Sequence, residues 1–324
     1  MSDTAAPSRP ASHPAPRPLG RPLARLRARR RSGAPGHPER PPAVGLLLAC
    51  HPGPTVAVTA LTTGLARAAG RDARGCVLVG AAVLAGQLSV GWCNDAVDAE
   101  RDRAAGRGGK PVAAGLVGAD QVARAARRAL VVCVPLSYAS GPAAGTAHLV
   151  GVGAAWAYDL GVKSTTGSWV PYAIGFGSLP AFVAFGLPGR PGPTWWIVGA
   201  AALLGCGAHL ADALPDLAGD RATGVRGLPH RLGPTGIRAL TPLPLLAATA
   251  LLAYGRPDRA GRLALLGAGT LAATGALLGG RRPRIPFASS VAVAAIDVVL
   301  LLRRGTGIAR TGSRDVGRSS RQCA

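Results

Sequence analysis

Charged residues are scarce in this chain: they make up 16% of its 324 residues, whereas hydrophobic residues make up 48%. A soluble chain of this length usually divides into two domains with charged surfaces, so the low charge argues against that class. Long apolar runs alternate instead with short loops that carry arginine. This arrangement is typical of an integral membrane protein.

Lysine is almost absent, since arginine supplies all but two of the 37 basic residues, the exceptions being Lys110 and Lys163. The net charge of +22 does not indicate nucleic-acid binding, because the arginines concentrate in two tails and in the loops between apolar runs. That distribution fits anionic lipid headgroups and the setting of membrane topology. We therefore expect membrane lipids, and no nucleic acid, among the partners.

Signatures of several common enzyme and cofactor classes are also missing. The six cysteines show no CxxC or zinc-ligand spacing, and most lie in apolar runs, where they are expected to pack as small hydrophobic residues. There is no Walker A loop, no dinucleotide-binding GxGxxG after a strand, no HExxH and no GxSxG. The acidic residues are therefore the main candidates for a catalytic or binding site.

The apolar runs predict an all-α integral membrane protein with a tail at each end. Residues 1–41 are rich in arginine and proline, which predicts a disordered cytosolic tail rather than a cleaved signal peptide. Residues 42–302 are predicted to form the transmembrane domain, and residues 303–324 a flexible basic tail. About nine transmembrane helices of about 20 residues each are expected, at 44–69, 74–94, 120–140, 142–160, 169–187, 193–213, 235–254, 260–280 and 284–302. The first segment is expected either to be kinked near Pro52 or to begin there.

The distribution of basic residues predicts the orientation in the membrane. The loops after the second, fourth, sixth and eighth segments carry more arginine and lysine than the loops on the opposite side. The positive-inside rule therefore places these loops in the cytoplasm, in a multi-pass protein of the cell membrane. Nine crossings would put the basic C-terminal tail outside, so either that tail is translocated or the number of helices differs by one.

One stretch of the sequence occurs twice. Residues 102–115 (DRAAGRGGKPVAAG) and 220–233 (DRATGVRGLPHRLG) align without a gap and share half of their positions. Four apolar segments separate the copies, and because this number is even, both copies are expected on the same side of the membrane. Membrane repeats of this kind usually build one site between the halves of a pseudo-symmetric bundle.

Acidic residues are concentrated at the start of each copy: seven of the 15 in the chain lie in two windows, 94–102 and 212–220. Each window has a polar triad spaced four residues apart, which a helix places on one face. Like charges at this spacing repel, and a carboxylate at bilayer depth costs roughly 2.5–3.5 kcal/mol, so a bound cation is expected. The alternative is a solvated helix end neutralised by Arg101 and Arg103. The triads are Asn94, Asp98 and Asp102, with Asp95 beside them, and Asp212, Asp216 and Asp220.

The ligand chemistry narrows the choice of cation. Carboxylate and amide oxygens favour Mg²⁺ or Mn²⁺ over zinc or copper. Mg²⁺ typically uses one or two carboxylates together with phosphate oxygens, so two acidic windows suggest Mg²⁺ ions that hold a diphosphate between them. Basic residues that could contact the diphosphate follow both windows and also include Lys163. His209, one turn before Asp212, is expected to be a packed residue rather than a ligand.

These motifs resemble a known family. The window NDAVDAERD (94–102) resembles the NDxxDxxxD motif of the UbiA superfamily of intramembrane prenyltransferases, and DALPDLAGD (212–220) is similar to its second motif. The stretch YDLGVKST (158–165) resembles the Tyr and Lys region between the motifs. One departure is Ala213, which stands where the first copy has Asp95 and leaves the second copy with one acid fewer.

The resemblance covers residues 44–302 and implies a pseudo-symmetric helical bundle around a central cavity that opens to lipid. Mg²⁺ held by the aspartates would bind an isoprenyl diphosphate, and an acceptor carbon would attack the allylic cation that ionisation leaves. Tyr158 is expected to face the cation or acceptor, or else to be a buried residue at a helix end. The resemblance implies metal roles for Asn94, Asp95, Asp98, Asp102, Asp212, Asp216 and Asp220, diphosphate contacts for Asn94, Arg107, Lys110, Lys163 and Arg221, and catalytic roles for Asp98, Asp102, Asp216, Lys163 and Tyr158.

The predicted function is Mg²⁺-dependent transfer of an isoprenyl group from an isoprenyl diphosphate to a small aromatic or quinone-type acceptor within the membrane. A terpene cyclase of the same fold is one alternative, but its cavity needs aromatic faces to steer the cation, and aromatic residues form only 4% of the chain. A cation or phosphate carrier is a second alternative, although the acids end their helices on one side only. A lipid-linked sugar-phosphate transferase of related fold is the third.

Overall fold

The computed structural model describes residues 42–279, 282 and 284–309. Within this part of the chain the protein consists of helices joined by turns, apart from an isolated bridge between Pro193 and Ala309. The predicted tail at 1–41 lies outside the described residues. The helices are α1 (Pro42–Ala49), α2 (Pro52–Ala68), α3 (Ala73–Ala104), α4 (Ala119–Tyr138), α5 (Pro142–Leu160), α6 (Val170–Phe185), α7 (Trp195–Ala213), α8 (Leu217–Ala222), α9 (Leu228–Leu240), α10 (Pro242–Tyr254), α11 (Arg259–Leu278) and α12 (Ile285–Arg303).

Proline and aspartate set many of the helix starts. Proline occupies one of the first two positions of α2, α5, α6, α9, α10 and α12, where its missing N–H costs no helical hydrogen bond. Asp72 and Asp258 cap α3 and α11 by accepting hydrogen bonds from the backbone N–H groups of Gly75 and Gly261. The loops between helices are therefore specified locally by the sequence.

Each predicted apolar segment overlaps a helix or a bent pair of helices, but nine membrane crossings are not confirmed. Among the described residues, α3, α7, α11 and α12 are long and apolar enough to span a bilayer, and two further spans result if α1–α2 and α9–α10 each count as one bent span. With 16 residues, α6 is shorter than a typical span. The first half of α4 carries Asp120, Arg124, Arg127 and Arg128, which makes that helix too polar to qualify.

The predicted kink near Pro52 is confirmed. The axes of α1 and α2 differ by 63° across Cys50 and His51. His51 has a φ of 54°, a left-handed conformation that is uncommon for a residue other than glycine. This conformation ends α1, and Pro52 starts α2 in a new direction.

The helices pack so that most neighbours along the chain are also neighbours in space. From α2 to α7 these contacts link α2 with α3, α3 with α4 and α5, α5 with α6, and α6 with α7. α7 then packs on α10, α10 packs on α11 and α12, and α12 returns to α2. The result is the predicted all-helical bundle. Its largest core cluster includes Leu65, Val79, Ala144, Phe182, Ile197, Leu252, Ala268 and Val293, one from each of eight helices.

Large apolar side chains cover the outside of the bundle. Leu266 and Leu277 on α11 are 68% and 80% exposed, and Val131 on α4 is 71% exposed. Exposed apolar side chains in this number are typical of a surface that contacts a membrane or another protein. Helices suit a lipid environment, because they pair most of their backbone N–H and C=O groups within one segment.

The first residues of the segment predicted to be a C-terminal tail are packed against the bundle. Arg304 and Ile308 are almost fully buried. The guanidinium of Arg304 bonds to Asp258 before α11 and to the backbone carbonyl of Leu252 in α10. The remainder of that segment, from residue 310, lies outside the described residues.

Candidate active site

The two acidic windows come together at one end of the bundle, and Arg107 joins them. Its Nη1 donates to Asp102 Oδ1 at 3.1 Å, and its Nη2 donates to Asp220 Oδ1 at 2.7 Å. Asp216 Oδ1 lies 3.8 Å from the same Nη2. Because one side chain contacts both windows, the two copies of the repeat open at the same end of the bundle, as predicted.

The first window lies on one continuous helix. α3 runs for 32 residues, and its last three turns carry Asn94, Asp98 and Asp102. The spacing of four residues places these three side chains on one helix face. The predicted stripe is therefore confirmed for the first copy.

The second window does not form a continuous stripe, and this prediction was wrong. α7 ends just after Asp212, and α8 begins just after Asp216. Pro215 lies between them; it has no N–H to continue the helix, and its ring clashes with the carbonyl of the preceding turn. Asp220 therefore lies on a separate short helix, where it contacts Arg107 from the loop after the first window.

Lys163 pairs with Asp98 in the first window. Its Nζ lies 2.6 and 2.7 Å from the two carboxylate oxygens, and Lys163 is buried. A buried ammonium group needs a charged or hydrogen-bonded partner, which Asp98 supplies. The short 3₁₀ turn after α5, Val162–Ser164, brings Lys163 to the site. Arg101 reaches Asp98 at 3.1 Å from the more exposed side.

Asp95 is held by His51 and Lys110. Its Oδ1 lies 2.9 Å from His51 Nε2 and 2.9 Å from Lys110 Nζ, and Asp95 is buried. Asp95 therefore connects α3 to the bend between α1 and α2 and to the loop after α3. Its Oδ2 has no hydrogen-bond partner in the described structure, so the predicted metal role of Asp95 depends on that oxygen.

A polar side chain from another helix fixes the first residue of each window. Asn94 Nδ2 donates to Asp159 Oδ1 at 2.9 Å, and the Tyr172 hydroxyl donates to Asp212 Oδ2 at 2.7 Å. Tyr158 packs edge-on against Tyr172, with ring centroids 5.2 Å apart. Tyr158 thus lies beside the partner of Asp212.

His209 is a packed residue, as expected from the sequence. It is 1% exposed, and its Nε2 lies 3.0 Å from Ser168 Oγ. The same oxygen accepts a hydrogen bond of 3.1 Å from the backbone N–H of Leu228. Ser168 therefore ties the segment after Lys163 both to α7 and to the start of α9.

Arg221 lies on α8 and is directed toward the backbone of the first turn of α9. Its Nη2 donates to the carbonyl oxygen of His230. The imidazole Nε2 of His230 lies 3.3 Å from Asp220 Oδ2. The structure thus places Arg221, a predicted diphosphate residue, one step away from the acids through His230.

The acids around Arg107 raise the pKa of its guanidinium. Burial alone would lower this pKa, but the hydrogen bond to Asp220 and the negative charges of Asp216 and Asp102 outweigh burial. Arg107 therefore remains a cation throughout the physiological pH range, and the bridge between the windows persists with it.

The donor set suits a magnesium–diphosphate complex better than a bare metal ion. No group of three or more His, Cys, Asp or Glu side chains among the described residues is arranged to hold a metal ion by itself. Mg²⁺ needs only one or two carboxylates when phosphate oxygens and water complete its coordination. The oxygen of Asp95 without a partner, and the carboxylates of both windows, fit that requirement.

Sequence patterns do not single out four residues that complete the site: His51, Asp159, Ser168 and Tyr172. Asp159 offers a signal, because it is an acid near the end of an otherwise apolar segment, four residues before Lys163. The contact between Tyr172 and Asp212 offers none, since it depends on how α6 packs against α7.

Comparison with known proteins identifies the family. The profile of the UbiA prenyltransferase family matches residues 44–296. The 33 kDa chain of bacteriochlorophyll synthase from Cereibacter sphaeroides is 32% identical over 205 residues, which cover 57% of this chain and 66% of that protein, just under two thirds of its length.

Solved structures show the same fold. A UbiA homologue from Aeropyrum pernix K1 aligns with a TM-score of 0.60 and 21% identity, over 75% of this chain and 96% of that chain. A UbiA homologue from Archaeoglobus fulgidus bound to GPP and Mg²⁺ aligns with a TM-score of 0.60 and 14% identity, over 82% of this chain and all of that chain. The family profile covers more than half of the sequence, and the protein is therefore an integral membrane member of the UbiA prenyltransferase family.

Proposed function

We propose that this protein transfers an isoprenyl group from an isoprenyl diphosphate to an aromatic or quinone-type acceptor inside the membrane, in a reaction that requires Mg²⁺, with Mn²⁺ as a substitute. The observation that carries the proposal is the bridge from Asp102 through Arg107 to Asp220. This bridge gathers carboxylates of both windows around one cationic group. Metal ions bound to a diphosphate at this place could be coordinated by carboxylates of both windows.

The metal would be held by both windows. Asn94, Asp98 and Asp102 offer oxygens from α3, and Asp212, Asp216 and Asp220 offer oxygens from the end of α7 and from α8; Asp95 would add its Oδ2. When bound, Mg²⁺ would neutralise the negative charge that develops on the departing diphosphate. The homologue from Archaeoglobus fulgidus that is bound to GPP and Mg²⁺ supports the choice of Mg²⁺ and of an isoprenyl diphosphate.

Basic residues of the chain would act on the diphosphate itself. Lys163, Lys110 and Arg107 already lie within hydrogen-bond distance of acids in the windows, so a diphosphate bound there would come within their reach. As the bond between the allylic carbon and oxygen breaks, its electron pair leaves with the diphosphate, and preorganised cations stabilise that charge. An acceptor carbon then bonds to the allylic cation and loses a proton.

The apolar interior would hold the isoprenyl chain. A small apolar cavity lies between α2, α6, α7 and α12, and its lining includes Leu65, Leu179, Leu204 and Leu301. Leu204 precedes Asp212 by eight residues on α7, or about 12 Å along the helix. A chain anchored by its diphosphate at the windows would therefore run toward this cavity, which has room for about one water molecule and would have to widen to admit the chain. Tyr158, beside Tyr172, would face the allylic end.

The comparison with known proteins adds a second candidate for the acceptor. The relative from Cereibacter sphaeroides is named for bacteriochlorophyll, and this name favours a tetrapyrrole as a second candidate beside a small aromatic ring.

The excess of basic residues in the loops at the site end supports a cytoplasmic orientation of the site in the cell membrane.

The test is release of diphosphate by the detergent-purified full chain. The protein would receive allylic diphosphates of several lengths with Mg²⁺, and then either an aromatic and quinone-type acceptor pool or a tetrapyrrole carboxylic acid. Asp98→Asn removes one carboxylate of the first triad, while Glu100→Gln, an exposed acid in the same window, is the matched control. We expect release that needs Mg²⁺, Asp98 and an acceptor, and that survives Glu100→Gln.

Other outcomes would reassign the function. Release without any acceptor would indicate a terpene cyclase. Release only with the tetrapyrrole would retain the transferase and change the acceptor. An absence of release with every diphosphate would overturn the proposal and favour the carrier.

A further inference from the structure

Asp159 takes no part in the function proposed so far, although it is among the most buried acids near the windows. It is 3% exposed and lies one residue before the end of α5. Its Oδ1 accepts the hydrogen bond from Asn94, and its Oδ2 has no partner among the described residues. A polar group buried in this way is costly unless it is hydrogen-bonded, so the bond to Asn94 is the main interaction that the fold provides for it.

This hydrogen bond determines which atom of Asn94 is available to a ligand. A side-chain amide has a donor nitrogen and an acceptor oxygen, and only the oxygen can ligate a hard cation such as Mg²⁺. Because Nδ2 of Asn94 is engaged by Asp159, the amide oxygen is the atom left to face the window. Without an acceptor at position 159, the amide could rotate and present its nitrogen instead.

The second window has a corresponding arrangement. Asp212 occupies the position of Asn94 in the repeat, and the hydroxyl of Tyr172 donates to its Oδ2. Asp159 lies in the last turn of α5 and Tyr172 in the first turn of α6, so two consecutive helices each supply one partner. An acceptor fixes the amide in one copy, and a donor fixes the carboxylate in the other.

We infer that Asp159 is a positioning residue that orients the amide oxygen of Asn94 toward a cation held by the first window. The inference rests on the proposed function, since that function supplies the cation. Partners of metal ligands contribute about 10- to 100-fold to metal affinity. Asp159 is therefore expected to affect binding through Asn94 and not by itself.

The test measures Mn²⁺ binding to the detergent-purified full chain in the presence of inorganic pyrophosphate. Electron paramagnetic resonance detects the bound Mn²⁺. Asp159→Leu removes the acceptor, and we expect it to weaken Mn²⁺ binding by about 10- to 100-fold. Asp159→Asn keeps an acceptor oxygen of the same shape and is expected to bind Mn²⁺ nearly as well as wild type. Combined with Asn94→Ala, Asp159→Leu should cause no further loss, because its effect passes through Asn94.

The outcomes separate this inference from the proposed function. Wild-type protein that binds no Mn²⁺ with pyrophosphate would overturn both. Wild-type binding with no loss in Asp159→Leu, or with losses that add in the double variant, would overturn only the role of Asp159. Equal losses in the leucine and asparagine variants would also overturn it and make the carboxyl group of Asp159 a ligand. Size-exclusion elution and the thermal midpoint verify folding, and Asp159→Ala replaces Asp159→Leu if that variant does not fold.

Discussion

The guanidinium of Arg107 lies 2.7 Å from the carboxylate of Asp220, a residue 113 positions further along the chain. Arg107 belongs to the loop after α3, and Asp220 lies on α8. The contact therefore joins the two halves of an internal repeat. A single cation thus bridges the two acidic windows.

Arg107→Ala is expected to lower kcat/KM for diphosphate release by about 10- to 100-fold, since hydrogen bonds to charged groups contribute about 1.5–3 kcal/mol each. Arg107→Lys should recover only part of this loss, because an ammonium group cannot reach both windows with a planar fork of donors. Arg103→Ala, at an exposed position on the same stretch, is the control. Full activity in Arg107→Ala would show that the windows are held together by other contacts.

Lys163 and Arg101 both contact Asp98, and their burial predicts different effects. Lys163→Met leaves Asp98 without its buried partner, so we expect kcat/KM to fall at least about tenfold, with a lower thermal midpoint. Arg101→Ala removes a more exposed pair, whose contribution is about 0–1 kcal/mol, and a small change is expected. Steady-state diphosphate release and thermal unfolding measure the two effects. A larger loss from Arg101→Ala would reverse the assignment of partners.

The sequence predicts the helices and both acidic windows because these depend on local patterns. Apolar runs of about 20 residues, proline near helix starts and repeated aspartates can be read within short stretches of chain. The break in the second window is harder to predict from the sequence, because the spacing of its aspartates fits a helix that Pro215 interrupts. The side chains that bond to the first residue of each window cannot be predicted from local patterns. Asp159 contacts Asn94 because α5 packs beside α3, and Tyr172 contacts Asp212 because α6 packs beside α7.

Asp258 predicts how the stability of the opposite end of the bundle depends on pH. The pKa of the Asp258 carboxyl is lowered well below its usual value, mainly by the hydrogen bond with Arg304 and further by the hydrogen bond from the backbone N–H of Gly261. A carboxyl with a depressed pKa stabilises the fold above its unfolded-state pKa of about 3.9. That contribution is lost as the pH falls from there through the folded-state pKa.

Asp258→Asn is therefore expected to lower the thermal midpoint at pH 7, and the difference from wild type should shrink as the pH falls below about 4. Thermal unfolding of the detergent-solubilised protein at a series of pH values measures this. Asp120→Asn, at an exposed acid in the first turn of α4, is the control. A difference between wild type and Asp258→Asn that stays constant from pH 7 to pH 3 would contradict the role of this ion pair.

At Gly227, the loop after the second window packs closely against the segment that carries Lys163. A Cβ atom at this position would collide with the backbone oxygen of Lys163 and would lie 3.1 Å from Ser168 Oγ. Because a backbone atom cannot move as easily as a side chain, Gly227→Ala should separate the two segments. Overpacking of this kind costs about 1–3 kcal/mol, and it would also shift Lys163 away from Asp98.

We therefore expect Gly227→Ala to lower both the thermal midpoint and the rate of diphosphate release. Gly153→Ala is the matched control, because that glycine lies in α5 with no atom within 4 Å of the added Cβ, and alanine favours a helix by about 1 kcal/mol. A loss of stability with unchanged release in Gly227→Ala would show that the loop supports the fold without placing Lys163. A loss of both, with Gly153→Ala intact, would show that the loop after one window positions the cation that serves the other.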